Sequence, residues 1–194
     1  VMDNQRLAQL LRPQEEYAAP YSYGSQEHGK MMQGAAEEQF PYLKQHNLDV
    51  TVNPQANRGY AETYPMGETG PPNRPAPGDV NRNRIEIFRP TEFNVNDLAA
   101  EGLHIDPYSQ KTRNALLPTL TPAQVSRLKD QAGDYAMSVE EGLPERKAME
   151  NTVDSAMRGQ VFNQDQNRVN EGMNYSPEQM SILNGLRNYT RGAR

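Results

Sequence analysis

The sequence predicts a mainly α fold with a little β, of the α+β class: a small C-terminal helical cluster with long irregular arms rich in proline and glycine. Three observations predict it. Residues 84–90 alternate charged and apolar side chains like a short strand, and residues 96–107 continue with helical spacing. Apolar residues recur at helical spacing in four later segments. The 35% hydrophobic content, with 15 Pro and 14 Gly, allows only a modest core.

Residues 1–47 are predicted to be an N-terminal arm with short helices. Asp3 caps a first helix that Pro13 ends, and the following segment has Pro and Gly that break any period. Ser25 begins a second helix, which ends either near residues 40–41 or near residues 46–47. Its expected apolar side comprises Met31, Met32, Ala35, Ala36 and Phe40.

Residues 48–93 are predicted to be an extended segment rich in Pro and Gly with short strands. Residues 48–52 alternate in a strand pattern, and residues 84–88 predict a strand buried on one face. Residues 55–83 have almost no apolar content and many prolines, which predicts a long irregular connection that forms neither a helix nor a sheet interior. Such a long connection is more often functional or bound to a partner than idle. Residues 67–70 are a turn, because the Lys-Ser/Thr and helix of a phosphate loop are missing.

Residues 94–194 are predicted to be a helical domain. The pair Asn96 and Asp97 is expected to cap its first helix, and Pro107 begins the second. The segments 121–124 and 176–179 share a Ser/Thr-Pro-x-Gln pattern, which predicts a capping box at the start of two further helices. The first of these carries Val125, Leu128, Ala132, Tyr135 and Val139 inward. Another helix begins at residues 143–146 and is expected to end at Gly159.

Charge and composition limit the classes of partner. The formal net charge of −5 makes nucleic acid an unfavourable primary partner. The absence of Cys excludes disulfides and thiolate metal sites. No run of about 18 apolar residues occurs, and the first residues lack a basic segment followed by an apolar one, so neither a membrane span nor a signal peptide is predicted. The 10 Tyr and 9 Met favour contacts with other proteins.

Glu101 and His104 form the one candidate catalytic pair, because a spacing of three places both on one helix face. Residues 85–88 and this pair resemble the edge strand and the following helix of zincin metallopeptidases, especially phage-encoded ones. In that family a His-Glu-x-x-His helix binds zinc, and Ala100 stands here in place of the first His. The resemblance implies Glu101 and His104 as catalytic or metal-binding candidates. A further ligand would come from Asp106, His28 or His46.

A structural explanation accounts for the same residues. Asp106 precedes a proline, which favours extended geometry and ends the helix, and His104 in the last turn interacts well with the negative helix end. The adjacent carboxylates at residues 37–38 and 140–141 point to different helix faces, so they do not form an acid/base pair. The sequence therefore favours a role without catalysis and predicts no cofactor.

A second resemblance covers about residues 40–190. Residues 59–72, 74–75 and 85–88, with residues 156–159, 175–179 and Leu183, are similar to a module in hypothetical proteins of tailed bacteriophages. It implies a late protein of the virion, either structural or internal and ejected, and no established catalytic residue. The implied partners are capsid, portal or tail subunits in an oligomeric assembly, formed in the host cytoplasm. The expected partner-binding residues are the tyrosines of the irregular segments: Tyr17, Tyr21, Tyr23, Tyr60 and Tyr64.

Two hypotheses follow from the sequence. The first is a bacteriophage structural or internal virion protein that acts as a protein–protein interaction module. The alternative is a degenerate or unusual zincin-like metallopeptidase domain.

Overall fold

A computed structural model of the chain describes residues 24–55, 59–70, 72, 75–131, 142, 144–162 and 174–192. These residues form a mostly helical fold with a small sheet, which confirms the predicted fold class. The strands are β1 (Leu48–Val52), β2 (Ala61–Tyr64) and β3 (Asn83–Ile87). The α-helices are α1 (Gln26–Gln39), α2 (Val95–Gly102), α3 (Pro107–Leu116), α4 (Pro122–Gln131), α5 (Glu145–Phe162) and α6 (Pro177–Thr190). Short 3₁₀ helices cover Pro41–His46 and Leu117–Thr119.

The three strands form one sheet in the order β1-β3-β2. The central strand β3 pairs in parallel with β1, with Val50 opposite Ile85. It pairs antiparallel with β2, with Thr63 opposite Ile85. The prediction of β1 is confirmed to the residue. The prediction that residues 55–83 are only an irregular connection is wrong, because β2 lies within them as an edge strand that needs little apolar content.

Both faces of β3 are buried, which corrects the expectation that one face is exposed. Ile85 and Ile87 lie in the core, as the alternation predicts. Arg84 is also buried, at 1% exposure, because residues 65–70 and 75–80 fold over the second face of the sheet and supply backbone carbonyls. Its guanidinium donates to the carbonyl oxygens of Glu68 and Pro77. The turn predicted at residues 67–70 lies two residues earlier, at residues 65–68, since the Glu68 amide donates to the Pro65 carbonyl at 3.1 Å.

Helix α1 covers the outer edge of β1. Ser25 caps the start of the helix, as predicted, and its side chain accepts from the His28 amide. The helix ends at Gln39. The Gln26 side chain both donates to the Val52 carbonyl and accepts from the Val52 amide, at 2.9 and 3.3 Å. Gln33 donates to the Leu48 carbonyl at 3.1 Å. Side chains of the helix therefore bond to the backbone groups of Val52 and to the Leu48 carbonyl, which β1 turns away from β3.

This orientation also changes the apolar side predicted for α1. Met32 and Ala36 are buried, as expected. Met31 is 44% exposed and Ala35 is exposed, so their assignment to the buried side is wrong. Because Gln26 and Gln33 face the edge of β1, the buried stripe of α1 is rotated away from Met31 and Ala35.

The start of α2 lies two residues earlier than predicted. Asn94 is the cap, and Asp97 completes a capping box by accepting from the Asn94 amide at 2.9 Å. The helix ends at Gly102, so His104 lies in the turn that follows rather than on the helix. Asp106 is extended as predicted, and its side chain caps the next helix, α3.

Both predicted capping boxes are confirmed. At the start of α4, the Thr121 amide donates to the Gln124 side chain, and the Gln124 amide donates to the Thr121 hydroxyl. Ser176 and Gln179 make the same two hydrogen bonds at the start of α6. The expectation that Gly159 ends α5 is wrong: the helix continues to Phe162 and buries Gly159 in its last turns. A helix buried on that side accepts glycine because packing offsets its low helical propensity.

One core joins residues from all three predicted ranges. Its members include Met32, Phe40, Val50, Ile85, Leu98, Leu128, Val153, Met157, Leu183 and Leu186. The C-terminal helices therefore pack on one another and share this core with β3. The first predicted helix, Tyr17, Tyr21, Tyr23, Ala132, Tyr135 and Val139 lie outside the described residues. None of the helices found in the described part of the chain has the length and apolar character needed to cross a membrane.

Candidate functional site

A polar cleft lies beside the outer edge of β2 and has a volume of about 450 Å³. Its walls come from four elements and the turn after α2, and we refer to it as the β2 cleft. The lining residues are Ala61, Glu62, Thr63, Pro65, Glu101, His104, Gln110, Arg113, Lys147, Asn151, Asp154, Ser155 and Arg158. The candidate pair Glu101 and His104 therefore faces the same cleft.

Glu101 connects three elements at one side of the cleft. Its Oε2 accepts from Thr63 Oγ1 at 2.7 Å, and its Oε1 lies 3.4 Å from a guanidinium nitrogen of Arg158. The side chain is only 15% exposed. Because both oxygens already have partners on β2 and α5, Glu101 ties α2 to these two neighbours.

A second ion pair crosses the other side of the cleft. Asp154 Oδ2 accepts from Arg113 at 3.0 Å, and both side chains are largely buried. The His104 ring lies between the two carboxylates. Its Nε2 is 3.9 Å from Glu101 Oε2, and its Nδ1 is 4.0 Å from Asp154 Oδ2. Two carboxylates thus balance two guanidinium groups around one imidazole.

Burial shifts the pKa values of two members of this cluster, His104 and Asp154. It lowers the pKa of His104 to about 4, and the positive charge of Arg158 acts in the same direction. The imidazole is therefore neutral near neutral pH. Burial also raises the pKa of Asp154 above its ordinary value, against the opposing effect of Arg113.

The structure does not bring Asp106 to this cleft. Asp106 is completely buried, and its Oδ1 lies 2.8 Å from His46 Nε2 and 2.8 Å from the Tyr189 hydroxyl. Its Oδ2 accepts from the Ser109 amide at 2.6 Å. These contacts assign to Asp106 a structural role between the 3₁₀ helix, α3 and α6. Burial and the bond to Asp106 raise the pKa of Tyr189 to about 12.

The geometry of the cleft is unsuited to the zinc site that the zincin resemblance implies. Glu101 and Asp154 approach opposite ring nitrogens of His104, so one ion cannot bind all three in the arrangement present. The other ligand candidates, His28 and His46, are not among the residues that line the cleft. Among the described residues, no group of three or more His, Cys, Asp or Glu could hold a metal ion.

The two described tyrosines that were expected to bind partners differ in exposure. Tyr60 is 55% exposed, and the Arg89 guanidinium lies 5.3 Å from its ring centre. Tyr64 is buried at 3% exposure, with the Arg84 guanidinium 5.8 Å from its ring centre. Only Tyr60 of these two presents its ring at the surface.

Glu101 and Arg158 separate the β2 cleft from a second cavity of about 460 Å³, since both residues line both spaces. The second cavity has an apolar side formed by Phe93, Ala100 and Phe162. Asp97 lies on its polar side, and burial raises the pKa of this carboxylate.

Sequence analysis did not identify Thr63, Arg113, Asp154 or Arg158. A signal for two of them exists, because Asp154 and Arg158 are four residues apart on α5, directly after the apolar residues Val153 and Met157. A charged pair at this spacing beside an apolar stripe indicates the edge of a helix interface. No comparable local signal marks Thr63 or Arg113.

Comparison of the chain with models of known protein families, with curated protein sequences and with solved structures found no match.

Proposed function

We propose that this protein is a structural or internal component of a bacteriophage virion and acts as a protein–protein interaction module. The observation that supports this proposal best is a group of exposed apolar side chains at the two ends of β2. Tyr60 is 55% exposed, Met66 is 64% exposed and Val80 is 38% exposed. Tyrosine and methionine are enriched in protein interfaces, where their large side chains become buried.

These side chains belong to one surface. Tyr60 directly precedes β2, and Met66 follows it by two residues. The Gly67 amide donates to the Val80 carbonyl at 2.8 Å, which holds Val80 next to the chain that carries Met66. We refer to Tyr60, Met66 and Val80 as the β2 surface. Its position in the Pro/Gly-rich segment agrees with the resemblance to the phage module, and the proposed neighbours are capsid, portal, tail or ejection subunits in the particle.

The ionic cluster of the cleft supports a structural rather than a catalytic role. The oxygens of Glu101 are bound to Thr63 and Arg158, and Asp154 is bound to Arg113. The cluster therefore fixes the helices behind β2.

The test is a mass-spectrometric inventory of purified particles of the phage that encodes the chain, supplied with tagged variants. We expect the wild-type chain in the particles at a fixed ratio to the capsid protein, and Tyr60→Ser to be depleted. Met31→Ser is the matched control, because Met31 is 44% exposed on α1, outside the β2 surface. A chain found only in the free lysate contradicts the proposal.

The alternative is a degenerate or unusual zincin-like metallopeptidase. One observation favours it: Glu101 and His104 face a common cleft with a further carboxylate, Asp154. Elemental analysis of the native protein separates the two proposals. Stoichiometric zinc that is lost in His104→Ala, but retained in the control His28→Ala, would overturn the interaction module.

A further inference from the structure

The two edges of the sheet differ in a way that points to a partner. Of the backbone groups that β1 turns outward, those of Val52 bond to Gln26 of α1, and the Leu48 carbonyl accepts from Gln33 of α1. Such coverage prevents edge strands from pairing with other chains. The outer edge of β2 has no such cover among the described residues.

The register shows which groups of β2 are open. The Phe88 amide donates to the Tyr60 carbonyl at 2.9 Å, so the backbone N–H and C=O groups of Tyr60 face β3. Because antiparallel residues alternate, Glu62 and Tyr64 also point inward, whereas Ala61 and Thr63 point away from β3. In the part of the chain that the structure describes, the outward N–H and C=O groups of Ala61 and Thr63 have no hydrogen-bond partner. They lie along the β2 cleft.

We propose that the outer edge of β2 binds an extended, uncharged segment of a partner protein, which pairs with the backbone of Ala61 and Thr63 as an additional strand. This inference rests on the proposed role as an interaction module and names the kind of segment that the module binds. Strand addition of this kind obtains affinity from main-chain hydrogen bonds and specificity from side chains at the rim.

The charges in the cleft favour an uncharged segment. Glu101 is paired with Arg158, Asp154 with Arg113, and Lys147 with Glu150 at 3.8 Å. An acidic or basic partner side chain would have to compete with one of these pairs. A neutral strand satisfies the open backbone groups and leaves the pairs intact.

A second copy of this chain fits the edge poorly. In the antiparallel register that pairs Ala61 with Thr63 of the other copy, Glu62 faces Glu62 directly, and like charges in that position repel. In the register centred on Thr63, Ala61 faces Pro65, which has no N–H to donate. Both registers disfavour a second copy, and we take the occupant to be a segment of a different protein.

The test uses the full chain and a displayed library of short random peptides. Peptides selected on the wild-type chain are synthesised, and their affinities are compared for two variants. Thr63→Pro removes the outward N–H and the hydroxyl, whereas Thr63→Val removes only the hydroxyl. We expect uncharged, extended peptides whose affinity falls about tenfold or more in Thr63→Pro and changes little in Thr63→Val.

Amide exchange of the wild-type chain with and without a selected peptide keeps the test valid if Thr63→Pro does not fold. Bound peptide is expected to protect the Ala61 and Thr63 amides. The proposal is overturned if no peptide is selected, if binding leaves both amides unprotected, or if the selected peptides are predominantly charged. A self-associating chain with both amides protected would also overturn it. None of these outcomes depends on whether the chain is found in virions, so the two proposals fail separately.

Discussion

The side-chain amides of Gln124 and Gln179 donate to one another, at 2.9 and 3.1 Å, and so join the starts of α4 and α6. Both side chains are nearly inaccessible to solvent, at 8% and 2% exposure. Gln179 also donates to the Thr119 carbonyl at 2.9 Å. Each glutamine thus caps its own helix and holds the other helix in place.

This pair predicts a coupled loss of stability. Gln179→Ala leaves buried groups of Gln124 and Thr119 without their partner, so we expect it to lower the free energy of unfolding by about 1–3 kcal/mol. Gln124→Ala should act similarly, and the double variant should lose less than the sum of the two. Urea unfolding of the four chains measures the coupling. Asn184→Ala, at an exposed position of α6, is the control, and additive losses would refute the link.

Two glycines are expected to respond in opposite ways to alanine. A Cβ at Gly102 would collide with the buried Leu43 side chain and lie 3.1 Å from the Tyr42 hydroxyl, so Gly102→Ala should cost about 1–3 kcal/mol. A Cβ at Gly34 meets nothing within 4 Å, so Gly34→Ala should stabilise α1 by about 0.5–1 kcal/mol. Thermal unfolding compares both variants with the wild type. Shifts of the same sign would contradict the packing of α2 on the 3₁₀ helix.

The burial of His104 predicts a dependence of stability on pH. The pKa of His104 is about 4 in the folded chain and 6.5 for an unperturbed histidine, so only the unfolded chain binds the proton between these values. Stability is therefore complete above about pH 6.5 and falls as the pH drops toward 4. The raised pKa of Asp154 works in the opposite direction at the acidic end of this window.

We expect the free energy of unfolding to fall by about 1–2 kcal/mol. This is less than the full pKa shift implies, because the His104 side chain is 32% exposed and water screens its charge. Urea unfolding between pH 7 and pH 4.5 measures it. His104→Gln should show a smaller loss over this range than the wild type. Equal losses in both chains would show that His104 is not the group responsible.

Arg84 is expected to hold the segment formed by residues 65–70 and 75–80 against the sheet. Arg84→Met removes the donors to the carbonyls of Glu68 and Pro77, so this segment should open more often. The Gly67 and Ala76 amides, which bond within the segment, should then exchange faster with solvent. Lys111→Met, an exposed change on α3, should leave these rates unchanged. Unaltered exchange in Arg84→Met would contradict this role.

Local sequence signals predicted much of the fold. Capping boxes involve residues three apart, and strand alternation is visible in β1 and β3, so these features follow from short segments. The edge strand β2 was missed, although two of its four residues, Thr63 and Tyr64, favour strands. Its pairing with β3 involves residues 20 to 26 positions away, which no local pattern reveals.

The candidate site was predictable to a similar extent. Glu101 and His104 were found because their spacing is local. Thr63, Arg113 and Asp154 reach the same cleft from three other elements, so only the tertiary structure brings them together. Asp106 was assigned as a candidate ligand from its position in the sequence, and the fold instead buries it against His46 and Tyr189.

The most direct test of the central claim, that β2 presents an open edge to a partner, is backbone amide exchange measured residue by residue in the isolated chain. Glu62 and Tyr64 donate toward β3 and should exchange slowly, whereas Ala61 and Thr63 should exchange quickly. Slow exchange at all four residues in the monomeric chain would mean that the edge is already covered, and it would contradict the account.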